Sequence, residues 1–154
     1  MGDGVVAIDY VLRPAIDADK AWLDAVRREA YRDLFDATWG GWDEARHQRH
    51  FSEFWEAGSI SIVSVDGQPV GVFQLFDSED VVEIGEIQML RKCQNGGIGT
   101  RILSNVVECA KRKGKRASLH LGLKNQGAFR LYERLGFEET ARSDTHIFMT
   151  HPCK

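Results

Sequence analysis

The stretch QNGGIGTRIL, residues 94–103, places three glycines within four positions, directly before residues with the apolar spacing of a helix. Glycine is about 1 kcal/mol less favourable than alanine inside a helix, so this cluster indicates a backbone that something must approach closely. The first turn of a helix leaves about four N–H groups without partners and carries roughly half a positive charge. Glycines ahead of it allow an anion, most often a diphosphate, to reach those N–H groups. The stretch therefore predicts an anion-binding loop.

Two common phosphate loops are excluded by the residues themselves. A nucleotide P-loop ends in Gly-Lys-Ser/Thr, whereas here Thr100 follows Gly99 directly. A dinucleotide-binding loop needs a third glycine or alanine three positions after the second, and that position is Ile102. The alternative is a turn that only joins a strand to a helix. One glycine would suffice for such a turn, so we favour anion binding.

The segments around the loop predict a mixed α/β fold with a parallel strand pair. Residues 81–90, VVEIGEIQML, have the composition of a strand, and residues 117–123, ASLHLGL, predict a second strand after the helix. A strand, a helix and a further strand in this order favour a parallel crossover. Residues 125–136 predict a short helix, and residues 146–149 a last strand.

The first half of the chain predicts a strand, two helices and a hairpin. The strand is expected from Val6 to Leu12, stopping at Pro14. Asp17 is predicted to cap a helix that ends at the pair Gly40-Gly41, and a second amphipathic helix should follow in residues 42–57. Two strand-like segments then flank Asp66-Gly67, a pair typical of tight hairpin turns.

Length and composition predict one domain, residues 1–154. Hydrophobic residues make up 43% and charged residues 28%, and the formal net charge is −3. Nothing in that charge favours nucleic acid as a partner, and no segment approaches the roughly 18 apolar residues of a membrane span. The N-terminus lacks a basic, apolar leader, so we expect a cytoplasmic protein.

Neither a disulfide framework nor a metal site is predicted. The three cysteines show no CxxC spacing, and Cys109 is expected as a buried residue of the third helix. His47 and His50 share a helix face without a further ligand nearby. His120 is expected as a satisfied core or cleft histidine.

Two motifs give the sequence a family resemblance. Gln94, Gly97 and Gly99 fit the pattern Q/R-x-x-G-x-G/A, and residues 125–137 fit N-x-x-A-x-x-L-Y-x-x-x-G-F. In both patterns the sequence resembles the GNAT superfamily of acyl-CoA-dependent N-acyltransferases. The resemblance covers essentially the whole chain but is specific only between about residues 83 and 137.

The resemblance implies the GNAT fold, a twisted mixed sheet splayed at its middle with helices on both faces. Acetyl-CoA would lie in the splay as co-substrate, with Ile87 and Met89 pairing with its pantetheine arm and Asn125 both capping a helix and bonding that arm. The phosphates would be held by the backbone of Asn95, Gly96, Gly97, Ile98, Gly99 and Thr100, and Gln94 is also expected among the cofactor-binding residues. Arg91 and the neutral Gln94 depart from residues common in the family, but neither removes a backbone donor.

The resemblance also implies catalytic residues. The family's acidic base lies eight or nine positions before the first motif, which selects Glu86, with Glu83 or a water chain as alternatives. Glu83 and Glu86 should face opposite sides of a regular strand, although a β-bulge would change this. The N–H of Met89 would meet the oxyanion, and Tyr132 would donate a proton to the thiolate. An alternative for Tyr132 is a core residue with a satisfied hydroxyl.

The function implied is transfer of acetyl from acetyl-CoA to a primary amine, by direct attack in a ternary complex. No cysteine lies at either motif to form an acyl-enzyme. The alternative is an acyl-CoA-binding sensor without turnover, which would need neither Glu86 nor Tyr132. Trp39 and Trp42 would either line the acceptor pocket or anchor the core. The acceptor, a small molecule or a peptide amine, is left open, as is the oligomeric state, although dimers are common in such families.

Overall fold

The structure, a computed structural model, describes residues 9–153, apart from the side-chain surroundings of residues 95 and 96. Within this range the chain forms one mixed sheet with helices on both faces, which confirms the predicted fold. The elements are β1 (Val11–Pro14), α1 (Lys20–Trp39), α2 (Glu44–Ala57), β2 (Ile60–Val65), β3 (Gln68–Asp77), β4 (Val81–Met89), α3 (Ile98–Arg112), β5 (Arg116–Gly122), α4 (Gln126–Arg134), β6 (Glu138–Arg142) and β7 (His146–His151).

The sheet opens at its middle. Its strand order is β1-β2-β3-β4-β5-β7-β6, and among the described strands only the β4–β5 pair is parallel, as predicted. That pairing extends from Val81 opposite Arg116 to Ile84 opposite Leu119. β4 continues to Met89 and β5 to Gly122 without further pairing between them. The space between their unpaired ends is called the gap below.

A β-bulge at Gly85 lies where the gap begins. Gln74 of β3 pairs with Glu86, and the next residue, Leu75, pairs with Ile84, so Gly85 is left without a partner. A Cβ atom at Gly85 would lie 2.6 Å from the side-chain oxygen of Gln74, so a side chain there would force a neighbour to move. Because the extra residue changes the alternation, Glu83 and Glu86 line the same cleft. The expectation that they face opposite sides is therefore wrong.

Two cores hold the helices against the sheet. The larger lies under α3 and α4, and α3 contributes five buried residues to it: Ile98, Ile102, Leu103, Val106 and Ala110. The smaller lies under α1 and α2 and includes Leu23, Val26 and Phe54. The gap thus lies between two layers of helices, each of which has its own core.

The predicted turns agree with the structure. Asp66 and Gly67 have φ values of 51° and 78°, the left-handed conformation of a type I′ hairpin turn. Gly40 ends α1 with φ of 75°, and Asp43 caps α2 by accepting the Arg46 backbone N–H at 3.0 Å.

Two predictions in the first half are wrong in detail. β1 begins at Val11 and includes Pro14 opposite Ser61, which an edge strand tolerates because one of its sides needs no N–H donor. The predicted start at Val6 lies outside the described residues. Asp17 does not cap α1, because residues 17–19 form a short 3₁₀ turn in which the Asp19 carboxylate accepts the Ile16 N–H at 2.8 Å.

Two predictions in the second half are corrected as well. β6 was not expected, because all five of its residues are exposed and lack apolar alternation. Its partner β7 supplies the backbone hydrogen bonds that define it. Cys109 is exposed rather than buried, since it lies beside the apolar stripe of α3 and not on it.

Candidate active site

The edge of β4 that faces the gap presents backbone groups without a strand partner. The Leu90 N–H donates to the Val70 carbonyl of β3 at 2.8 Å. In an antiparallel pair alternate residues point their backbone groups to the same side, so Ile87 and Met89 point theirs away from β3 and into the gap. The Gln94 side-chain amide donates to the Met89 carbonyl at 3.3 Å from that side. The N–H groups of Ile87 and Met89 are therefore available to an extended ligand.

The glycine loop adjoins this edge. Residues 91–96, which include Asn95 and Gly96, form a 3₁₀ segment, and Gly97 follows with φ of 80° before α3 begins at Ile98. A Cβ atom at Gly97 would meet nothing within 4 Å, so the backbone of this residue borders open space. The Ile98 side chain is buried in the core, which leaves only its backbone for a ligand.

The loop and the strand edge line one cleft of about 590 Å³. It also includes Asn125 and Tyr132, and it is called the coenzyme cleft below after the ligand that the family resemblance implies. Asn125 caps α4 as predicted, because its side-chain oxygen accepts the Ala128 N–H at 3.2 Å. The other residues that line the coenzyme cleft are Ile87, Gln88, Met89, Gln94, Gly97, Gly99, Thr100, Leu103, Gly127, Ala128, Leu131 and Arg134.

Tyr132 lies where the coenzyme cleft meets the gap. It lines the cleft and also a narrower cavity of about 120 Å³ inside the gap. Its ring packs edge-on against Phe137 with centroids 6.1 Å apart, and within residues 9–153 its hydroxyl has no hydrogen-bond partner. Burial, followed by the negative charge of Glu86, raises the pKa of Tyr132 to about 12. The phenol is thus a neutral proton donor at pH 7.

Glu86 is held by two residues of α1. Its carboxylate forms an ion pair with Arg27 and accepts a hydrogen bond from the Tyr31 hydroxyl. The side chains of Arg27 and Glu86 are 7% and 9% exposed. The guanidinium carbon of Arg27 lies 4.5 Å from the ring centre of Phe54, which holds it in place from α2. Burial and the charge of Glu86 raise the pKa of Tyr31, so its hydroxyl remains a donor.

A second cleft, of about 530 Å³, lies between the sheet and the helices α1 and α2. Glu86 is among its lining residues, and we call it the acceptor cleft after the role proposed for it below. Trp39 lines this cleft, and the guanidinium carbon of Arg46 lies 4.0 Å from the centre of its ring. Trp42 instead stacks on Phe35, with ring centres 4.6 Å apart. Other lining residues include Arg27, Tyr31, Phe35, His50, Glu53, Phe54, Gln74, Phe76, Glu83, His120 and His146.

The comparisons with known proteins agree with this geometry. The model of the acetyltransferase (GNAT) family matches residues 28–137, which include the gap, the glycine loop and both motifs. The chain belongs to the acetyltransferase (GNAT) family.

Two curated relatives illustrate the sequence similarity. An uncharacterized N-acetyltransferase of Methanocaldococcus jannaschii is 36% identical over 86 residues, which cover 51% of this chain and 38% of the relative. The mycothiol acetyltransferase of Salinispora tropica is 31% identical over 154 residues, which cover 94% of this chain and 47% of the relative. The chain spans less than half the length of these relatives.

Among solved structures, the PaiA N-acetyltransferase of Thermoplasma acidophilum, in complex with coenzyme A, matches with a TM-score of 0.72. The match covers 94% of this chain and 99% of that protein at 16% sequence identity, so it shows the shared GNAT fold.

Sequence reasoning missed the polar residues that surround Glu86. Arg27 and Tyr31 are four positions apart on α1 and read as ordinary helix-surface residues. His120 was expected to be satisfied in the core or the cleft, yet it is exposed in the cleft and faces His146, with ring centres 5.4 Å apart. The only available signal was the position of His120 on the strand that borders the gap.

Two further features are absent from the described part of the chain. No group of three or more His, Cys, Asp or Glu side chains there is arranged to hold a metal ion. Nor does any helix between residues 9 and 153 combine the length and apolar character that crossing a membrane requires.

Proposed function

We propose that this GNAT chain transfers the acetyl group of acetyl-CoA to a primary amine, by direct attack within a ternary complex. The observation that carries the proposal is the gap between β4 and β5. It opens to the coenzyme cleft on one side and to the acceptor cleft on the other, and Tyr132 and Glu86 both line the cavity between them. Two reactants that enter from opposite sides would meet there.

Acetyl-CoA would bind through main-chain donors. Its pyrophosphate would lie against the backbone of residues 95–100 at the start of α3, where unpartnered N–H groups and the helix dipole favour negative charge. The open space beside Gly97 supports this assignment. The pantetheine arm would pair with Ile87 and Met89 as an added strand does, and the side-chain amide of Asn125 would bond it from α4. Gln94 would act indirectly, by bonding the Met89 carbonyl.

The transfer itself needs two proton movements. The acceptor arrives as an ammonium ion, which has a pKa near 10, and must lose one proton before its nitrogen can attack. The attack makes a C–N bond, and the Met89 N–H would donate to the oxygen that becomes negative. The C–S bond then breaks, Tyr132 gives its proton to the sulfur, and the second proton of the nitrogen restores Tyr132. The products are an amide, a thiol and one released proton.

Glu86 would provide a fixed negative charge beside the ammonium. Arg27 and Tyr31 already donate to its oxygens. If Glu86 took a proton, the buried guanidinium of Arg27 would lose its counter-charge, and uncompensated charges of this kind are costly. Its oxygens still have lone pairs that can accept a bond from the ammonium. The sequence-based prediction of Glu86 as the base is therefore less well supported than a role in orienting the amine.

The test measures free thiol formed from acetyl-CoA across a panel of amines, together with the N-acetyl product by mass spectrometry. We expect thiol release that requires both reactants, and a shift in thermal stability on adding coenzyme A alone. Tyr132→Phe serves as the matched control, because it should keep the thermal shift and lose the release. Coenzyme binding without release for any amine would favour the sensor alternative, and the absence of binding would contradict the proposal altogether.

A further inference from the structure

The proton that leaves the ammonium needs an acceptor in the gap. Among the described residues, five ionisable groups line the cavity between the two clefts: Tyr31, Glu86, His120, Tyr132 and His146. Both tyrosines are protonated at pH 7, because burial raises the pKa of each. Glu86 is engaged by Arg27 and Tyr31. The two histidines are the remaining candidates.

The geometry brings the two histidines together on the face of the sheet that carries the acceptor cleft. His120 on β5 pairs with Phe148, and His146 is two residues from Phe148 on β7, so the two rings are diagonal neighbours. Their centres are 5.4 Å apart. β5 borders the gap directly, whereas β7 is one strand farther from β4. His120 is therefore the nearer of the two to the reaction and His146 the outer one.

The surroundings of His146 favour its neutral form. Burial, and then the charges of His120 and His50, lower the pKa of His146 below its usual value. Two imidazoles at this distance do not both carry charge easily, because like charges repel. The Nδ1 atom of His146 lies 2.8 Å from the Thr145 hydroxyl, whereas no residue in the described part of the chain bonds the ring of His120. A proton that leaves the ammonium would therefore first reach, at His120, a ring nitrogen without a hydrogen-bond partner among the described residues.

The other charged and titratable groups around this cavity do not oppose a transient imidazolium. The acceptor cleft is lined by three carboxylates and two guanidiniums. Because the negative charges outnumber the positive ones, a positive charge on His120 would be tolerated. The groups are Arg27 and Tyr31 from α1, Arg46, His50 and Glu53 from α2, Glu83 and Glu86 from β4, and Tyr132 from α4.

We infer that His120 is the general base of the proposed transfer and that His146 beside it passes the proton to solvent. The N–H bond of the ammonium breaks, its electron pair stays on nitrogen, and a new N–H bond forms on the imidazole of His120. The imidazolium then loses that proton to water through His146, which is an exposed residue of β7. This inference rests on the proposed function, and it adds a proton acceptor that the two sequence motifs do not include.

The experiment uses His120→Ala in the full chain, with 2-phenylethylamine, spermidine and a free N-terminal tetrapeptide as acceptors. We expect kcat/KM at neutral pH to fall about 10²-fold or more, because general base catalysis is lost. Added imidazole should restore part of the rate, since it fills the space of the missing ring and accepts the proton. Coenzyme A should bind as tightly as in the wild type. Tyr132→Phe is the control, because imidazole should not restore it.

The outcomes separate this inference from the proposed function. Thiol release by the wild type with an unaffected His120→Ala rate would overturn the histidine assignment alone. A loss of rate that imidazole does not restore would show a structural role and would also overturn it. Release with none of the amines would remove the proposed function and the inference together.

A titration provides a readout that needs no acceptor. In the coenzyme A complex, the ring protons of His146 should report a pKa below about 6.5, the usual value. Replacing His120 by Gln should raise that pKa, because it removes a neighbouring positive charge. If His146 titrates at the usual pH in both proteins, the two rings do not interact and the inference fails.

Discussion

The buried carboxylate of Glu86 on β4 is neutralised by the guanidinium of Arg27, which α1 carries across the acceptor cleft. The two residues are 59 positions apart, and each side chain is less than a tenth exposed. Their contact joins the helix layer that forms the acceptor cleft to the strand that borders the gap. In the proposed transfer, this ion pair keeps Glu86 as a fixed charge and leaves the proton to another group.

Arg27→Met should destabilise the fold strongly. It leaves Glu86 as a buried charge without a counter-charge, and breaking such a pair costs about 3–5 kcal/mol. Urea unfolding at pH 7 measures the change. The control is the double variant Arg27→Met with Glu86→Gln, in which both charges are removed and Gln still accepts from Tyr31. We expect it to recover most of the lost free energy. A single variant within about 1 kcal/mol of the wild type would mean that the pair is solvated.

Glu86→Gln should lower the rate without changing the form of its pH dependence. The variant removes the negative charge that orients the ammonium but leaves His120 in place. A rate profile between about pH 5.5 and 9 measures this, because that window contains the usual histidine ionisation. If the profile of Glu86→Gln instead followed the ionisation of the free amine, Glu86 would be the base, as the sequence first suggested.

Tyr132→Phe should lower kcat by about 10²–10⁴ and leave the affinity for coenzyme A unchanged, because only the proton donor is removed. In the wild type, kcat should not fall on the alkaline side before about pH 10, because the Tyr132 phenol keeps its proton until pH approaches its pKa of about 12. Steady-state kinetics and coenzyme titration check both parts. A variant with a normal rate would place the donor elsewhere.

Gly97→Asn should weaken coenzyme A binding about tenfold or more. Asparagine tolerates the left-handed conformation at φ of 80°, so the loss should come from a side chain in the phosphate's space rather than from strain. Gly99→Ala is the matched control, since its Cβ would lie 3.8 Å from Met89 in ordinary contact, and alanine fits that motif position. Calorimetric titration compares the two. Equal affinities would contradict the loop's assignment.

The sequence predicted those features of the fold that depend on local conformation. The pairs Gly40-Gly41 and Asp66-Gly67 lie at a helix end and a hairpin turn because left-handed residues are needed there. The glycine loop was predictable for the same reason, and the apolar stripe of α3 determined which of its faces is buried.

Features that depend on distant contacts could not be predicted. The bulge at Gly85 lies against Gln74 of the neighbouring strand; the glycine made a bulge conceivable, but only the pairing with β3 fixes its position. The partners of Glu86 lie on a helix more than 50 positions away. His120 faces His146 only because β7 pairs with β5 in one particular register. These three features determine which residues face the gap, which is why the motifs alone did not reveal the proton acceptor that we propose.

The most direct test of coenzyme binding in the gap is an amide NMR spectrum of the chain, recorded while coenzyme A is added. We expect the largest shifts at Ile87 and Met89 on β4 and at Gly97, Gly99 and Thr100 beside the cleft. If coenzyme A binds while these amide signals remain unmoved, the coenzyme lies elsewhere and the proposed transfer across the gap is wrong.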